Sequence, residues 1–486
     1  MHNNKSKIYF VGICGTGMAS CAGLFKEAGY DVVGSDQNIY PPMSTMLEDL
    51  KIQCFSPYSK DNIKNNPGDT YVIANALSRG NDEIEYILEQ KLSYTSFPAL
   101  LGKHFLKDKF SIVVAGTHGK TTTTSLLASI LTTLGLDPNY IIGGIPKDLP
   151  QSFKATKSPL FVIEGDEYDT AFFDKGSKFL HYCPDIVIFN NLEFDHADIF
   201  SDLAAIEKQF TALLKLLPDP KNIIANVDDP GVVKLLQQMG IADHVTRVST
   251  LGTTPRADVV LVKRHENFEN SNLWAGTIKT NLWGETTFKT KLVGAHNIAN
   301  IAQAVACLER LVGLKMMPSF DKTKVQSAIG GFQGVKRRLE HLGVVNGIDV
   351  FEDFAHHPTA VKTVIEGFKK SYPGRRLLVA FEPKNATSRR NLFVNEYVKA
   401  FELADRVYLG ECPVDKRIEE SSRMDTAVLS SKIGNKAQAL ASNQSLLEQM
   451  VQDSQQGDAL VFMSSGSFSG VQHSILEKLR KKYQHF

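Results

Sequence analysis

At 486 residues the chain exceeds what one hydrophobic core organises and predicts about three domains, and its 43% hydrophobic and 22% charged content excludes extensive disorder. A formal net charge of +1 excludes the clustered basic excess of a nucleic-acid-binding surface, so any bound anion must be held by local geometry. No stretch approaches a membrane span and no apolar targeting segment precedes the first strand, which together predict a cytoplasmic protein without membrane insertion.

The first α/β block opens with a strand over 8–11, the glycine loop "VGICGTGM" and a helix over about 19–28, followed by a strand over 30–34 that ends in Ser35-Asp36. A glycine loop between strand and helix brings backbone N–H groups to a phosphate, and an acidic residue about twenty positions on is placed to hold a ribose hydroxyl. The loop departs from the dinucleotide fingerprint, because Gly12 and Gly17 fit while Cys14 takes the middle position and Gly15 follows. A side chain there crowds a dinucleotide pyrophosphate and weakens a nicotinamide reading. A plain tight turn is the other reading of such a loop. The six cysteines, Cys14, Cys21, Cys54, Cys183, Cys307 and Cys412, lack zinc spacing and read as reduced thiols.

The second block begins near residue 110 and contains "VVAGTHGKTTTTSLL". Gly119-Lys120-Thr121 at a strand-to-helix junction predicts a cradle in which Lys120 neutralises β/γ-phosphate charge and the Thr121 hydroxyl ligates Mg²⁺. Val114 stands where the usual motif has its first glycine, and Gly116 substitutes for it. The helix that follows carries Leu126, Leu127, Ile130, Leu131 and Leu134 as one apolar face for the sheet. Strands over 160–163 and 186–189 then end in polar groups, the first in Glu164, Asp166, Glu167 and Asp169, the second in Asn190, Asn191, Glu193, Asp195, His196 and Asp198. Ends of parallel strands share one edge, so Lys120, Thr121, Glu164 and His196 can converge on one metal-nucleotide. Glu164 reads as a metal ligand, His196 equally as a ligand or a loop histidine, and Asp166, Glu167 and Asp169 as a solvated acidic turn. In the helix of "LVGAHNIANIAQAVACLERL", Asn297 favours a cap, with adenine recognition by Asn297 and Asn300 as the functional alternative.

"GGFQGVKRRLEHLG", residues 330–343, is a glycine-rich basic hinge into a third block, where strands over 348–351, 377–381, 407–409 and 460–463 alternate with helical stretches as in a doubly wound sheet. Its polar strand ends, 352–360 and 381–390, are where a site belongs, and no internal repeat or low-complexity run interrupts the chain. The resulting class is α/β with three domains: a Rossmann-like unit over 1–108, a P-loop unit with a mostly parallel sheet over 109–333, and a second Rossmann-like unit over 334–486.

With these residues in view, the chain resembles the Mur ligases over nearly its whole length, on "VGICGTGM", "GSD", "AGTHGKTTTT", "NNLEFDHAD", "GAHNIAN", "GVKRRLE", "AHHPT" and "FEP". It is similar in particular to the branch that extends UDP-N-acetylmuramate directly. Members of that branch that add L-alanine usually carry G-I-G-G-x-G-M, a histidine-arginine pair with a second arginine after F-x-P, and D-Y-G-H-H-P. Here those positions read Cys14, Lys384-Asn385 with Ser388, and Asp353-Phe354-Ala355-His356-His357-Pro358. Together with "IYPPMSTMLE", "EYDTAFFDKGSKFLHY" and "MSSGSFSGVQ", these departures look like the members that attach the murein tripeptide L-alanyl-γ-D-glutamyl-meso-diaminopimelate in peptidoglycan recycling. L-alanine addition in peptidoglycan synthesis is the alternative.

The resemblance implies an ATP-dependent amide ligase working through an acyl phosphate, because a carboxylate resists nucleophilic attack until phosphorylation turns its oxygen into a leaving group. It implies a UDP-sugar site at Gly12, Gly15, Gly17, Met18 and Asp36, and an ATP loop of Gly116, Thr117, His118, Gly119, Lys120, Thr121 and Thr122. Asn297 and Asn300 would meet adenine, Asp353 the ribose, and Arg338, with Arg337 as second candidate, the phosphates. Thr121 and Glu164 would hold a first Mg²⁺, His196 a second, and His356 and Lys384 would serve the acceptor. Lys120, Glu164, His196, Arg338 and His356 form the implied catalytic set.

Overall fold

The computed structural model describes residues 6–39, 43–197, 199–266 and 273–484. Asp198 and residues 40–42 of "IYPPMSTMLE" lie outside the described residues.

Strand β1 (Lys7–Val11) sits in the middle of a five-stranded parallel sheet, with Asp31–Ser35 and Gln53–Phe55 on one side and Thr70–Ile73 and Tyr94–Thr95 on the other. Strand order reverses at β1, so the loop after it opens into the crevice where ligands bind in such sheets. Helix α1 (Thr16–Glu27) begins at Thr16 rather than near residue 19, with Gly15 as a cap that makes no side-chain hydrogen bond.

The central domain is built on a ten-stranded sheet. Strand β2 (Phe110–Ala115) runs parallel between β3 (Leu160–Gly165) and β4 (Ile186–Phe189), while three antiparallel strands extend one edge. Near-continuous Val/Ile/Phe runs suit strands covered on both faces. Helix α2 (Lys120–Thr133) follows β2 and is buried on all sides from Thr121 to Leu131. The single apolar face expected for it is therefore corrected: α2 lies between the sheet and α3 (Ala295–Gly313), which is why Thr123, Thr124 and Ser125 are buried as well. Strand β3 runs two residues past Ile163, so Glu164 lies inside the strand.

The first two domains share one core, in which Phe10, Leu24 and Phe25 join Val113, Phe161 and Phe189. Gly23 of α1 makes this possible, because a Cβ there would lie 2.2 Å from Phe153 Cζ.

In the third domain β7 (Ala459–Met463) pairs in parallel with β5 (Ile348–Asp353) and β6 (Leu377–Phe381), and Glu340–Val345 runs antiparallel at the edge of a six-stranded sheet. The hinge belongs to the central domain as far as Lys336: Val335 is 2% exposed in the central core and the Lys336 N–H donates to Ile145 O at 2.9 Å. Arg337, at φ 59°, is already tied into the third domain. The two domains meet where Trp274 Nε1–H donates to Ser371 Oγ at 2.7 Å and where the backbones of Gly294 and Gly367 touch. Among the described residues no helix is long and apolar enough to cross a membrane.

Gly23→Ala is expected to lower the first thermal or denaturant unfolding midpoint, at a cost of about 1–3 kcal/mol for overpacking. A second change, Phe153→Leu, should recover part of the loss; an unchanged midpoint in the single variant would refute the shared core.

Candidate active site

The loop after β2 turns through Gly116 (φ 134°) and Gly119 (φ 83°), conformations that favour glycine. A Cβ on Gly119 would lie 2.8 Å from Asn300 Oδ1 and 3.1 Å from Asn190 Nδ2, so α3 and the end of β4 close on the loop from two sides. The segment after β4 holds it in shape. His118 N–H donates to Asn191 Oδ1 at 2.7 Å, and the Thr117 hydroxyl bonds the Glu193 backbone on both sides, at 2.9 and 3.1 Å. Helix α2 starts at Lys120 without a side-chain cap, which leaves its N-terminus suited to an anion.

A buried charge centre lies below the loop. The Lys120 ammonium donates to Gly116 O at 2.7 Å and to Glu167 Oε2 at 2.9 Å, and His196 Nε2 lies 3.2 Å from Glu167 Oε1. Burial would raise the Glu167 carboxyl, but the Lys120 charge and the His196 contact hold it down at about 2. Burial works against the charge on His196, and Glu167 and Asp195 more than restore it, so the imidazolium is favoured. The acidic-turn reading is thus corrected for Glu167, which is 2% exposed, while Asp166 and Asp169 stay half-buried. Glu164 accepts from the Thr121 hydroxyl at 2.8 Å and from Gly143 N–H at 2.5 Å. Its carboxyl is pushed up to about 7, by burial and then by Asp166. That is a negative charge the protein does not neutralise by itself. With the Thr121 hydroxyl it makes a set of hard oxygen donors that fits Mg²⁺.

The first-domain loop carries no cationic side chain. Gly12 (φ 86°) and Ile13 donate their N–H groups to Ser35 O, and Cys14 N–H donates to Asp36 Oδ2 at 2.8 Å. Asp36 therefore braces the loop, and Met18, 3% exposed, is a core side chain whose contact with a ligand would have to come through its backbone. Gly15 and Thr16 are exposed at the start of α1, and Gly17 is partly so.

Asn297 is not a cap, because α3 begins at Ala295 with Gly294 in the capping position. Its Nδ2–H donates to Val293 O at 2.8 Å and it accepts from Asn300 at 3.3 Å. Beside it His296 is partly buried and pushed down to about 4 by desolvation and then by Arg338, which reaches this end of the site from the third domain. Arg338 is exposed over the Phe354 ring, with 5.1 Å from guanidinium to ring centre. Arg337 does not serve as an alternative to it: Glu352, at 2.8 Å, and two carbonyls pin it inside the third domain. Asp353 spends both oxygens on Ala355 and Leu339 N–H groups, each at 2.6 Å, and so shapes the turn that carries Arg338.

The third domain docks against the loop after β4 through Glu193 and Asp195, to which sequence reasoning assigned no site role. Glu193 accepts from the Thr359 hydroxyl at 2.8 Å and lies 3.2 Å from His118 Nε2 and 3.6 Å from His357 Nδ1. His356 Nε2 lies 3.8 Å from Asp195 Oδ2, and its Nδ1 is 2.9 Å from Phe354 O. Burial opposes ionisation of Asp195, yet His356 and His196 hold it well below the carboxylate range. Ala197 N–H donates to Thr387 Oγ1 at 3.2 Å. Lys384 is exposed, 3.9 Å from Glu382, whereas Ser388 is wholly buried in a turn with Asn385. The sequence signals for Glu193 and Asp195 were their place just past β4 and within "NNLEFDHAD".

A lysine-bearing phosphate loop, an uncharged glycine loop on a neighbouring sheet and a third α/β domain docked beside the phosphate loop define a nucleotide-driven ligase. Residues 7–109 match the Mur ligase family, catalytic domain; 114–308 the Mur ligase middle domain; and 337–466 the Mur ligase, glutamate ligase domain. The chain is 36% identical to the UDP-N-acetylmuramate–L-alanyl-γ-D-glutamyl-meso-2,6-diaminoheptandioate ligase of Escherichia coli (strain K12), over 98% of this chain and 99% of that one. It is 30% identical to the UDP-N-acetylmuramate–L-alanine ligase of Desulforapulum autotrophicum, over 85% and 86%. The crystal structure of a murein peptide ligase from Psychrobacter arcticus 273-4 superposes with a TM-score of 0.72 at 34% identity, covering 98% of both chains. The chain belongs to the Mur ligase family, and it is an ATP-dependent ligase that forms an amide bond.

Removing the negative charge at Glu167 tests the charge centre. In Glu167→Gln the His196 titration, followed by imidazole NMR, should move down, because that carboxylate raises it. Stability should fall by on the order of 3 kcal/mol as two buried cations lose their shared partner. A His196 titration like the parent's would contradict the assignment.

Proposed function

We propose that this ligase joins L-alanyl-γ-D-glutamyl-meso-diaminopimelate to UDP-N-acetylmuramate while ATP is converted to ADP and phosphate. The acceptor edge of the third domain carries the reading. Of positions 384, 385 and 388, Ser388 is buried, Asn385 is folded onto it and Lys384 is exposed, so these three positions offer no bidentate fork for the carboxylate of a single amino acid. A tripeptide brings further carboxylates and a longer body, so its binding can be spread over the domain. Likeness to tripeptide ligases at 36% identity, against 30% for an L-alanine ligase, supports the same choice.

In this reading the loop from Gly116 to Thr122 receives the ATP phosphates on its backbone, and Lys120 exchanges Glu167 for the transferring phosphoryl group. Asn297 and Asn300 face adenine, and Arg338 reaches the phosphates from the third domain. Thr121 and Glu164 would hold Mg²⁺, His196 would hold a second ion once its imidazolium proton is displaced, and the metal would neutralise charge on the phosphoryl oxygens. The first-domain loop, with Gly12, Gly15 and Gly17, holds the UDP pyrophosphate. The muramyl carboxylate oxygen attacks the γ-phosphorus and ADP leaves; the acceptor amine then attacks the acyl carbon, phosphate leaves, and the nitrogen gives up a proton. His356, oriented by Phe354 O through Nδ1, is placed to meet that amine. Nucleotide-activated substrates assign the work to the cytoplasm.

Two outcomes follow. Glu164 titrates at about 7, so below that pH the cation must displace a proton. The Mg²⁺ concentration for half-maximal activity should rise as pH falls through 7, by up to about tenfold per unit, and level off above it. The sign for stability is opposite: without metal, stability is fully present below the unfolded value of 4.5, falls as pH rises to about 7, and is restored by Mg²⁺. Glu164→Gln should remove the pH step; a parent whose Mg²⁺ requirement is flat from pH 5.5 to 8 would refute it. For the acceptor, kcat/KM with the tripeptide should exceed that with L-alanine by on the order of a hundredfold or more. Comparable use of L-alanine, measured by phosphate release with the product confirmed by mass, would favour the L-alanine ligase.

A further inference from the structure

Of the two anion-binding loops, the one over 12–17 has no cation of its own. Lys178, within "EYDTAFFDKGSKFLHY", stands in the wall between them. Lys178 follows the antiparallel hairpin Asp169–Ala171/Asp174–Ser177 and opens the short helix Lys178–His181, its N–H donating to Tyr168 O at 3.0 Å. Its side chain is 10% exposed. The ammonium lies 5.3 Å from the centre of the Phe97 ring and 4.9 Å from that of Tyr168. Among the described residues its one acidic partner is Asp166 Oδ2 at 3.6 Å, beyond a direct hydrogen bond.

The two rings locate the ammonium. Phe97 belongs to the first domain and faces the glycine loop, since a Cβ on Gly17 would lie 3.5 Å from Phe97 Cζ. Tyr168 meets the His196 ring edge-on at 4.3 Å. Lys178 thus stands between the start of α1 and the phosphoryl-transfer centre. Desolvating an ammonium is costly unless its donors are satisfied, and two aromatic faces with one distant carboxylate offset only part of that cost. Packing alone would favour an apolar side chain here. An ammonium held in place by two rings is, however, preorganised for anionic oxygens.

Resting on the reading given under Proposed function, we propose that Lys178 supplies from the central domain the positive charge that the first-domain loop lacks, gripping the pyrophosphate oxygens of the UDP sugar. The UDP-sugar site is then shared between two domains whose cores are continuous.

Calorimetric titration of the full-length enzyme and of Lys178→Met and Lys178→Gln tests this, with thermal unfolding to select a folded variant. The ligands are UDP-N-acetylmuramate, UDP-N-acetylglucosamine, which keeps the pyrophosphate and lacks the carboxylate, and ADP. Both UDP sugars should bind about tenfold or more weakly to the variants, with ADP affinity unchanged. Affinities within twofold of the parent would overturn the assignment, as would a loss confined to UDP-N-acetylmuramate, which would move the ammonium to the muramyl carboxylate. A parent that binds ADP and neither UDP sugar would instead bring down the functional reading itself, and this assignment with it.

Discussion

Everything at the phosphate site depends on Glu167, whose two oxygens hold Lys120 at 2.9 Å and His196 at 3.2 Å in a region largely shielded from water. Three ionised groups in such a place are stable only together, because each alone would carry the full cost of desolvation. The pairing fixes the phosphate-loop lysine low in its cradle, against Gly116 O, and turns the histidine on the neighbouring strand end toward it. An arriving triphosphate replaces one carboxylate by several anionic oxygens. It does so without reorganising the backbone, since Asn190, Asn191 and Asn300 already hold the loop from outside.

The same economy links the site to the third domain. The segment after β4 braces the phosphate loop through Asn191 and Glu193, and presents Glu193, Asp195 and Ala197 to Thr359, His356 and Thr387 of the third domain. One short stretch therefore reads both whether the loop is formed and whether the acceptor domain is seated. Arg338 completes the circuit from the hinge, adding to the desolvation that keeps the His296 ring neutral. Closure and charge placement are thus one structural event.

Long patterned elements were legible in the sequence. β4 and β6 came out at the bounds that their apolar runs suggested, because parallel strands buried on both faces leave no polar position to blur their ends. Reading failed where tertiary contact overrides local pattern. Asn297 has the right residue type for a cap, yet Gly294 takes that role at φ 104°, where a Cβ would lie 2.6 Å from the His296 ring. Glu167 looked like part of a solvated turn, since spacing cannot tell which of several neighbouring acids a buried lysine will choose. Asp36 and Asp353 also brace their own loops with backbone hydrogen bonds, a use that motif position alone does not reveal.

The contrast between the two glycine loops follows from what each anion must do. A γ-phosphoryl group that transfers develops charge along the reaction, so its cation belongs at the end of a helix where the geometry is rigid, as Lys120 is at the start of α2. A pyrophosphate that is only held needs N–H donors and the field of a helix terminus, which Gly15 and Thr16 offer at α1. A lysine inside that loop would also attract the second nucleotide, whose phosphates differ little in charge. Keeping the loop neutral and setting the nearby ammonium on the other domain, between Phe97 and Tyr168, ties recognition of the held substrate to the packed interface instead of to one flexible loop.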